Sequence, residues 1–230
     1  MISHHHHTIF VHVPKVAGQS IETVFLQDLG LDWDSRGELL LRKKKSGEKG
    51  PHRLAHLTAE EYTQLGYTDA DTFRSYFTFT FVRHPYARVL SLYHYLGYSR
   101  IISVEAFIDK VLTGRIREHH FFFRPQYEYA YDAEGRLLVE FVGKLERIAE
   151  DIKIVFKRSG LDDAALPHVN KSEKGLKRGL TALLKQPSLL GHFQPRRLFS
   201  NKKTKNLSTS EKDKVYALYA KDFTGFDYER

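Results

Sequence analysis

Two stretches of this chain carry residue types that suit phosphate groups. The first reads Pro-Lys-Val-Ala-Gly-Gln-Ser at 14–20 and directly follows a β-branched, apolar run at 8–13. Lys15 supplies a full positive charge, and Gly18 lets the backbone come close to an anion. Apolar residues at helical spacing follow and predict a helix, whose N-terminal N–H groups favour negative charge. The predicted ligands of this loop are Lys15, Ala17, Gly18, Gln19 and Ser20.

The second stretch surrounds the end of a strand predicted at 76–82. Arg83 follows that strand, and Pro85 predicts the first turn of a helix that runs to about Tyr95. Arg88 and Ser91 are three residues apart and share one face of that helix. Two guanidinium groups and a hydroxyl suit a dianionic phosphate. The alternative interpretation is a pair of surface arginines beside an ordinary helix serine.

Neither stretch has the pattern of a magnesium-dependent nucleotide triphosphatase. The G-x-x-x-x-G-K-[ST] spacing is absent, because the lysine precedes the glycine. The second strand ends in Val-Arg-His-Pro, which offers cations where a magnesium site needs a carboxylate. A nucleotide kinase-like phosphotransferase is nevertheless the nearest alternative enzyme.

The elements that position these stretches alternate between strand and helix. This alternation predicts an α/β fold with a mainly parallel sheet, helices on both faces, and ligands at the carboxyl ends of the strands. The capping-box pattern Thr-Ala-Glu-Glu at 58–61 predicts a helix start, and Ser-Thr-Ser-Glu at 208–211 predicts another. The basic, polar segment 36–53 is predicted to be an exposed loop. With 230 residues, the chain is expected to form a single domain.

The two phosphate-binding stretches together resemble the carbohydrate-type sulfotransferases that use 3′-phosphoadenosine 5′-phosphosulfate (PAPS). The loop at 14–20 resembles their 5′-phosphosulfate loop, and Arg-x-Pro-x-x-Arg-x-x-Ser-x-Tyr at 83–93 resembles their 3′-phosphate site. The resemblance implies a three-layer P-loop NTPase-like fold, PAPS as the donor and adenosine 3′,5′-bisphosphate (PAP) as the product. It also implies that Lys171 and Ser172 approach the nucleotide. Further similarity lies at 141–151, 166–172 and 219–223.

Sulfuryl transfer needs an aligned acceptor hydroxyl, a base for its proton, and positive charge at the leaving phosphate. Lys15 is the predicted stabiliser of the leaving group. His56, just before a capped helix and ahead of the second phosphate strand, is the predicted base, and His52 is the substitute. No metal is expected to be required, since PAPS is already an activated anhydride.

The acceptor is predicted to be a hydroxyl compound, preferably a glycan or glycolipid. His119, His120 and Arg124 lie in an aromatic loop that is predicted to line its cleft. Acceptor identity has no sequence pattern of its own.

The composition fits an anionic partner. The net charge is +8 and the pI about 9.4, which also suits nucleic acid, although no nucleic-acid fold signature accompanies the lysines at 43–45 and 202–203. A basic binding protein without catalytic activity therefore stays as the second alternative, with nonspecific binding only. The chain has no cysteine, which favours a reducing cytoplasm, and no apolar run of membrane-spanning length is present. The four histidines at 4–7 are more typical of a tag remnant or frayed end than of a metal site, so residues 1–7 are expected to be disordered and no metal ligand is predicted.

Overall fold

The computed structural model describes residues 1–167, 175–199 and 204–230. The chain forms two compact units, each built from separate stretches of sequence. Unit 1 comprises Met1–Arg83 and Gln126–Val169, and unit 2 comprises His84–Pro125 and Asn170–Arg230. The predicted nucleotide-site residues Lys171 and Ser172 lie outside the described residues.

Unit 1 contains a four-stranded sheet in the order β1 (Ile2–Ser3), β2 (Thr8–Val11), β3 (Phe77–Val82), β4 (Phe141–Lys144). β1 pairs antiparallel with β2, whereas β2, β3 and β4 are mutually parallel. Every residue of β3 is buried, as expected for a strand that is covered on both faces.

The α-helices among the described residues are, in chain order, α1 (Gly18–Asp28), α2 (Ala59–Gln64), α3 (Ala70–Ser75), α4 (Pro85–Tyr95), α5 (Val104–Phe107), α6 (Thr113–Arg117), α7 (Tyr127–Ala130), α8 (Ile148–Arg158), α9 (Gly175–Lys185) and α10 (Thr209–Gly225). A π-helical turn, Ile108–Leu112, joins α5 to α6. Short 3-10 helices occupy Arg36–Leu39, Leu54–His56, Tyr98–Arg100, Leu145–Arg147, Pro187–His192 and Pro195–Phe199. None of the helices in the described ranges is long and apolar enough to span a bilayer.

The predicted α/β fold with a central, mainly parallel sheet and flanking helices is confirmed. In unit 1, Phe25 of α1 stacks on Phe79 of β3 with ring centroids 6.5 Å apart, and α8 packs beside β4. Unit 2 is helical around its own core, in which α4 and α10 are neighbours.

Both predicted capping boxes are confirmed. The Thr58 hydroxyl accepts from the Glu61 N–H at 3.2 Å, and the Glu61 carboxylate accepts from the Thr58 N–H at 2.9 Å. Ser208 and Glu211 repeat the arrangement at the start of α10. Each box satisfies two N–H groups that a helix start otherwise leaves without a partner.

The expectation that residues 1–7 are disordered is wrong. Ile2 and Ser3 pair with β2, and the side chains of Met1, Ile2 and His6 are buried. The Met1 amine donates to the Phe10 carbonyl at 2.9 Å. The apolar residues in this segment cover the edge of β2, and this burial offsets the entropy cost of ordering it.

The segment 36–53 is exposed over much of its length, as predicted, but side-chain contacts fold it. Arg42 donates to both carboxylate oxygens of Glu48 at 2.7 Å, and an antiparallel bridge joins Lys43 to Arg53. The Arg42 guanidinium lowers the pKa of the Glu48 carboxyl to about 2.

Candidate functional site

The loop between β2 and α1 contains two residues in a left-handed backbone conformation. Lys15 has φ of 79° and Ala17 has φ of 63°, a left-handed conformation that costs roughly 1–2 kcal/mol for a residue with a Cβ atom. Left-handed residues of this kind occur in backbone nests, in which neighbouring N–H groups bind an anion. α1 begins at Gly18 with no side-chain cap and no acidic residue in its first turn. The positive end of α1 therefore adds to the charge of Lys15.

His12 lies directly beneath this loop. Its ring is buried, and its Nδ1 lies 2.5 Å from a carboxylate oxygen of Glu22, which is buried on α1. A Cβ atom at Gly18 would overlap the His12 ring. The His12 ring therefore disfavours any side chain at position 18, a different reason from the close approach to an anion that the sequence suggested.

His56, the predicted base, packs against His12. Its Nδ1 donates to the His12 carbonyl at 2.9 Å, and the two rings lie 4.5 Å apart. Because this bond places the proton on Nδ1, Nε2 is the nitrogen that can take up another proton. Burial, followed by the charge effect of His12, holds the pKa of His56 well below its usual value. The imidazole of His56 is therefore held neutral, mainly by burial.

His52 has a different setting. Its side chain is exposed, and its carbonyl accepts from the Lys44 N–H at 3.1 Å across the neck of the 36–53 segment. His56 contacts His12, and His12 lies against the loop at 14–20, which is called the anion loop below. His52 has no comparable contact among the described residues.

Arg83 stands where β3 ends, and a buried glutamine fixes its backbone. Gln126 accepts from the Arg83 N–H at 2.9 Å and donates to the Arg83 carbonyl at 2.7 Å. Since β2 and β3 are parallel and in register at Val11 and Thr80, the loop after β2 and Arg83 leave the same edge of the sheet.

Arg88 is placed differently from a surface phosphate ligand. Its side chain is 1% exposed, and Nη2 donates to the carbonyls of Phe122 at 3.2 Å and Arg124 at 3.0 Å. Its guanidinium also lies 5.8 Å from the centre of the Tyr219 ring. Ser91, on the same helix, is partly exposed. The observed contacts make Arg88 an anchor for segment 122–124 in unit 2, and its role as a phosphate ligand stays a prediction.

The predicted acceptor residues lie in one aromatic loop of unit 2. His119 is exposed, whereas His120 is partly buried and stacks on Phe121 with centroids 4.9 Å apart. Burial, then the nearby Arg115, lowers the pKa of His120. Arg124 is partly exposed. The loop thus presents aromatic faces and a neutral imidazole together.

Three residues that the sequence reasoning missed organise this region: His12, Glu22 and Gln126. Glu22 had a detectable signal, because it lies among the apolar residues Ile21, Val24 and Phe25 on the buried face of a helix. A carboxylate in such a position requires a buried partner. Nothing in the spacing identified His12 as that partner, and Gln126 had no signal at all.

The anion loop after β2 and Arg83 at the end of the neighbouring strand β3 define a class. It comprises the α/β proteins that hold phosphate groups at the carboxyl edge of a parallel sheet. A family model described as the sulfotransferase family matches residues 1–229. The chain belongs to this sulfotransferase family, which is P-loop-like, and the resemblance stated from the sequence is confirmed. No curated protein and no solved structure matches the chain significantly. Family membership makes the protein a transferase of sulfuryl groups.

Proposed function

We propose that this sulfotransferase moves the sulfuryl group of PAPS to a hydroxyl of a carbohydrate, by in-line transfer and without a metal ion. The observation that carries the proposal is the loop from Lys15 to Ser20, which combines a cation, left-handed backbone and an uncapped helix start. These features suit the 5′-phosphosulfate end of the donor.

In the proposed reaction, the acceptor oxygen attacks sulfur while the bond from sulfur to the 5′-phosphate oxygen breaks. The leaving phosphate gains negative charge, which Lys15 and the helix N–H groups stabilise. His56 Nε2 takes the acceptor proton, and the bond from Nδ1 to the His12 carbonyl keeps the ring oriented. The products are a sulfate ester and PAP. Charge stabilisation by these groups supports a reaction that is independent of metal.

A carbohydrate acceptor is supported by the aromatic loop around His120 and by the net charge of +8. Aromatic faces suit sugar rings, and positive charge suits an anionic glycan. The cytoplasm is the proposed location, since a chain without cysteine has no disulfide that needs an oxidising compartment.

The first test is calorimetric titration with PAP in buffer that contains a chelator, with ATP as the comparison. Selective binding of PAP supports the donor assignment and the absence of a metal requirement. Binding of ATP only with magnesium, or of neither ligand, contradicts it.

The 3′-phosphate assignment is tested with Arg83→Ala, compared with Arg74→Ala, which changes an exposed arginine on α3. Arg83→Ala should weaken the binding of PAP much more than the binding of adenosine 5′-monophosphate, because only PAP carries the 3′-phosphate. Equal losses for both nucleotides would remove Arg83 from that role.

The base is tested with His56→Gln and His52→Gln. His56→Gln should keep donor affinity and lower turnover by about 10²–10⁴-fold, the usual contribution of a general base. Donor affinity serves as the control for correct folding, and unchanged turnover would rule out His56 as the base.

A further inference from the structure

We infer that this protein holds a divalent metal ion of the zinc type at the amino edge of its sheet, on His5, His6 and Asp28. One potential ligand atom from each of these side chains lies within 4.8 Å of the others. Imidazole nitrogen and carboxylate oxygen are the ligand types that zinc accepts, with bonds of about 2.0–2.2 Å. Tetrahedral ligands at that bond length lie roughly 3.4 Å apart.

His6 already has the geometry of a ligand. Its Nε2 lies 3.0 Å from Asp28 Oδ2, close to the separation of two ligands on one ion. Its Nδ1 lies 2.6 Å from the Ser3 hydroxyl, and its ring packs edge-on against Phe25 at 5.0 Å. Metal-bound histidines characteristically use the second ring nitrogen in a hydrogen bond of this kind, which fixes the ring. His6 is buried, so its direction is set by the fold.

Asp28 supplies the second argument. It is the last residue of α1, and the last turn of this helix carries no basic residue. A carboxylate at the negative end of a helix dipole is unfavourable, whereas a cation there is stabilised. Such a local conflict is typical of a functional position. A bound metal ion would neutralise Asp28 and the helix end together.

His5 and the surrounding cleft complete the site. His5 is exposed, with its ring 4.9 Å from that of His6, and one of its ring nitrogens lies within 4.8 Å of the ligand atoms of His6 and Asp28. The three residues line a cleft of about 510 Å³ together with Glu140, Arg158 and Ser159. Glu140 is paired with Arg158 at 2.7 Å. The fourth ligand of the ion would therefore be a water molecule in the cleft.

The site is separate from the anion loop at 14–20, so the inference does not depend on the proposed function. α1 has 11 residues, and at 1.5 Å per residue its two ends are about 16 Å apart. The anion loop is at the start of α1, and Asp28 is at its end. The ion would therefore tie the turn at 4–7 to the end of α1 and stabilise the fold, while sulfuryl transfer proceeds without it.

The test is titration of the chelator-treated full chain with zinc chloride at pH 7.5, followed by calorimetry and by thermal unfolding. We expect one ion per chain and a higher unfolding temperature with zinc. Asp28→Asn is the decisive variant, because it keeps the shape and removes a ligand 22 residues away from His6. We expect it to weaken zinc binding at least about tenfold and to abolish the thermal shift, and Ser3→Ala to weaken binding about 10–100-fold.

The matched control is His4→Asn, which removes a histidine of the same run that does not line the cleft and leaves the three proposed ligands. This variant should bind zinc like the wild type. If Asp28→Asn binds zinc as well as the wild type, or if the control loses as much affinity as His5→Asn with His6→Asn, the histidine run binds nonspecifically and the inference is overturned.

Discussion

At the scale of single residues, the space beside Gly18 in the anion loop is filled by the His12 ring. Gly18→Ala should destabilise the fold by about 1–3 kcal/mol, the usual cost of overpacking, because the new Cβ would overlap the buried imidazole. Urea unfolding measures this change. Gly114→Ala is the matched control, since a Cβ there meets nothing within 4 Å, and it should be neutral or stabilising. Equal stability of Gly18→Ala and wild type would show that His12 can move aside freely.

His56 makes the stability of the protein depend on pH. Its pKa is well below the usual value in the folded state because of burial and His12, whereas in the unfolded state it is about 6.5. As the pH falls below about 6.5, the unfolded chain therefore binds a proton that the folded chain does not, and the free energy of unfolding decreases by up to about 1.4 kcal/mol per pH unit.

His56→Gln should remove this part of the pH dependence. The measurement is urea unfolding at pH 7 and pH 5 for the wild type, His56→Gln and the exposed-site control His52→Gln. Identical pH dependence in the wild type and His56→Gln would contradict the prediction, because the difference between them isolates this one group.

At the scale of elements, the two capping boxes show how local sequence determines helix starts. Ser208→Ala should cost about 1 kcal/mol, because it removes the acceptor for the Glu211 N–H at the start of α10. Ser208 is exposed, so little packing is lost with it. Ser210→Ala changes an exposed serine in the first turn of the same helix and should have little effect. Chemical denaturation of the two variants gives the comparison, and equal losses would mean that the cap contributes nothing.

The elements that could be predicted from sequence are those with a local signal. β3 and α4 have alternating or periodic apolar residues, and α2 and α10 have recognisable caps. The structure starts each of these elements within a residue or two of the expected position. The anion loop was likewise predictable, because Lys15 and Gly18 lie between a strand and a helix. α5 continues through a π-helical turn into α6.

What could not be predicted depends on long-range contacts. The order of residues 1–7 requires β2 as a partner, and the histidine run hid the apolar Met1 and Ile2 beside it. The burial of Arg88 depends on carbonyls more than 30 residues away. The hydrogen bonds between Gln126 and Arg83 join residues that are 43 positions apart. No periodicity or spacing rule reports such pairs.

At the scale of the whole molecule, the positive charge predicts how the chain treats nucleic acid. With a net charge of +8, it should retain DNA weakly at low salt, and retention should fall steeply between about 50 and 200 mM salt. PAP binding should persist over the same range, because partly buried charges and backbone N–H groups are screened less. Filter binding and calorimetry at matched salt concentrations measure the two. DNA binding that survives high salt with sequence preference would instead favour the nucleic-acid alternative.

The division of each unit into separate stretches affects how the protein is made. The core of unit 2 packs Tyr86 and Phe107 with Tyr219 and Phe223, residues from opposite ends of its sequence. During synthesis the N-terminal part leaves the ribosome first, so this core cannot close until α10 has emerged. Until then the nascent chain exposes the apolar faces of α4 and α5. Production of this enzyme in cells should accordingly depend on chaperones that cover those faces. This dependence should be stronger than for a protein whose compact units are contiguous in sequence.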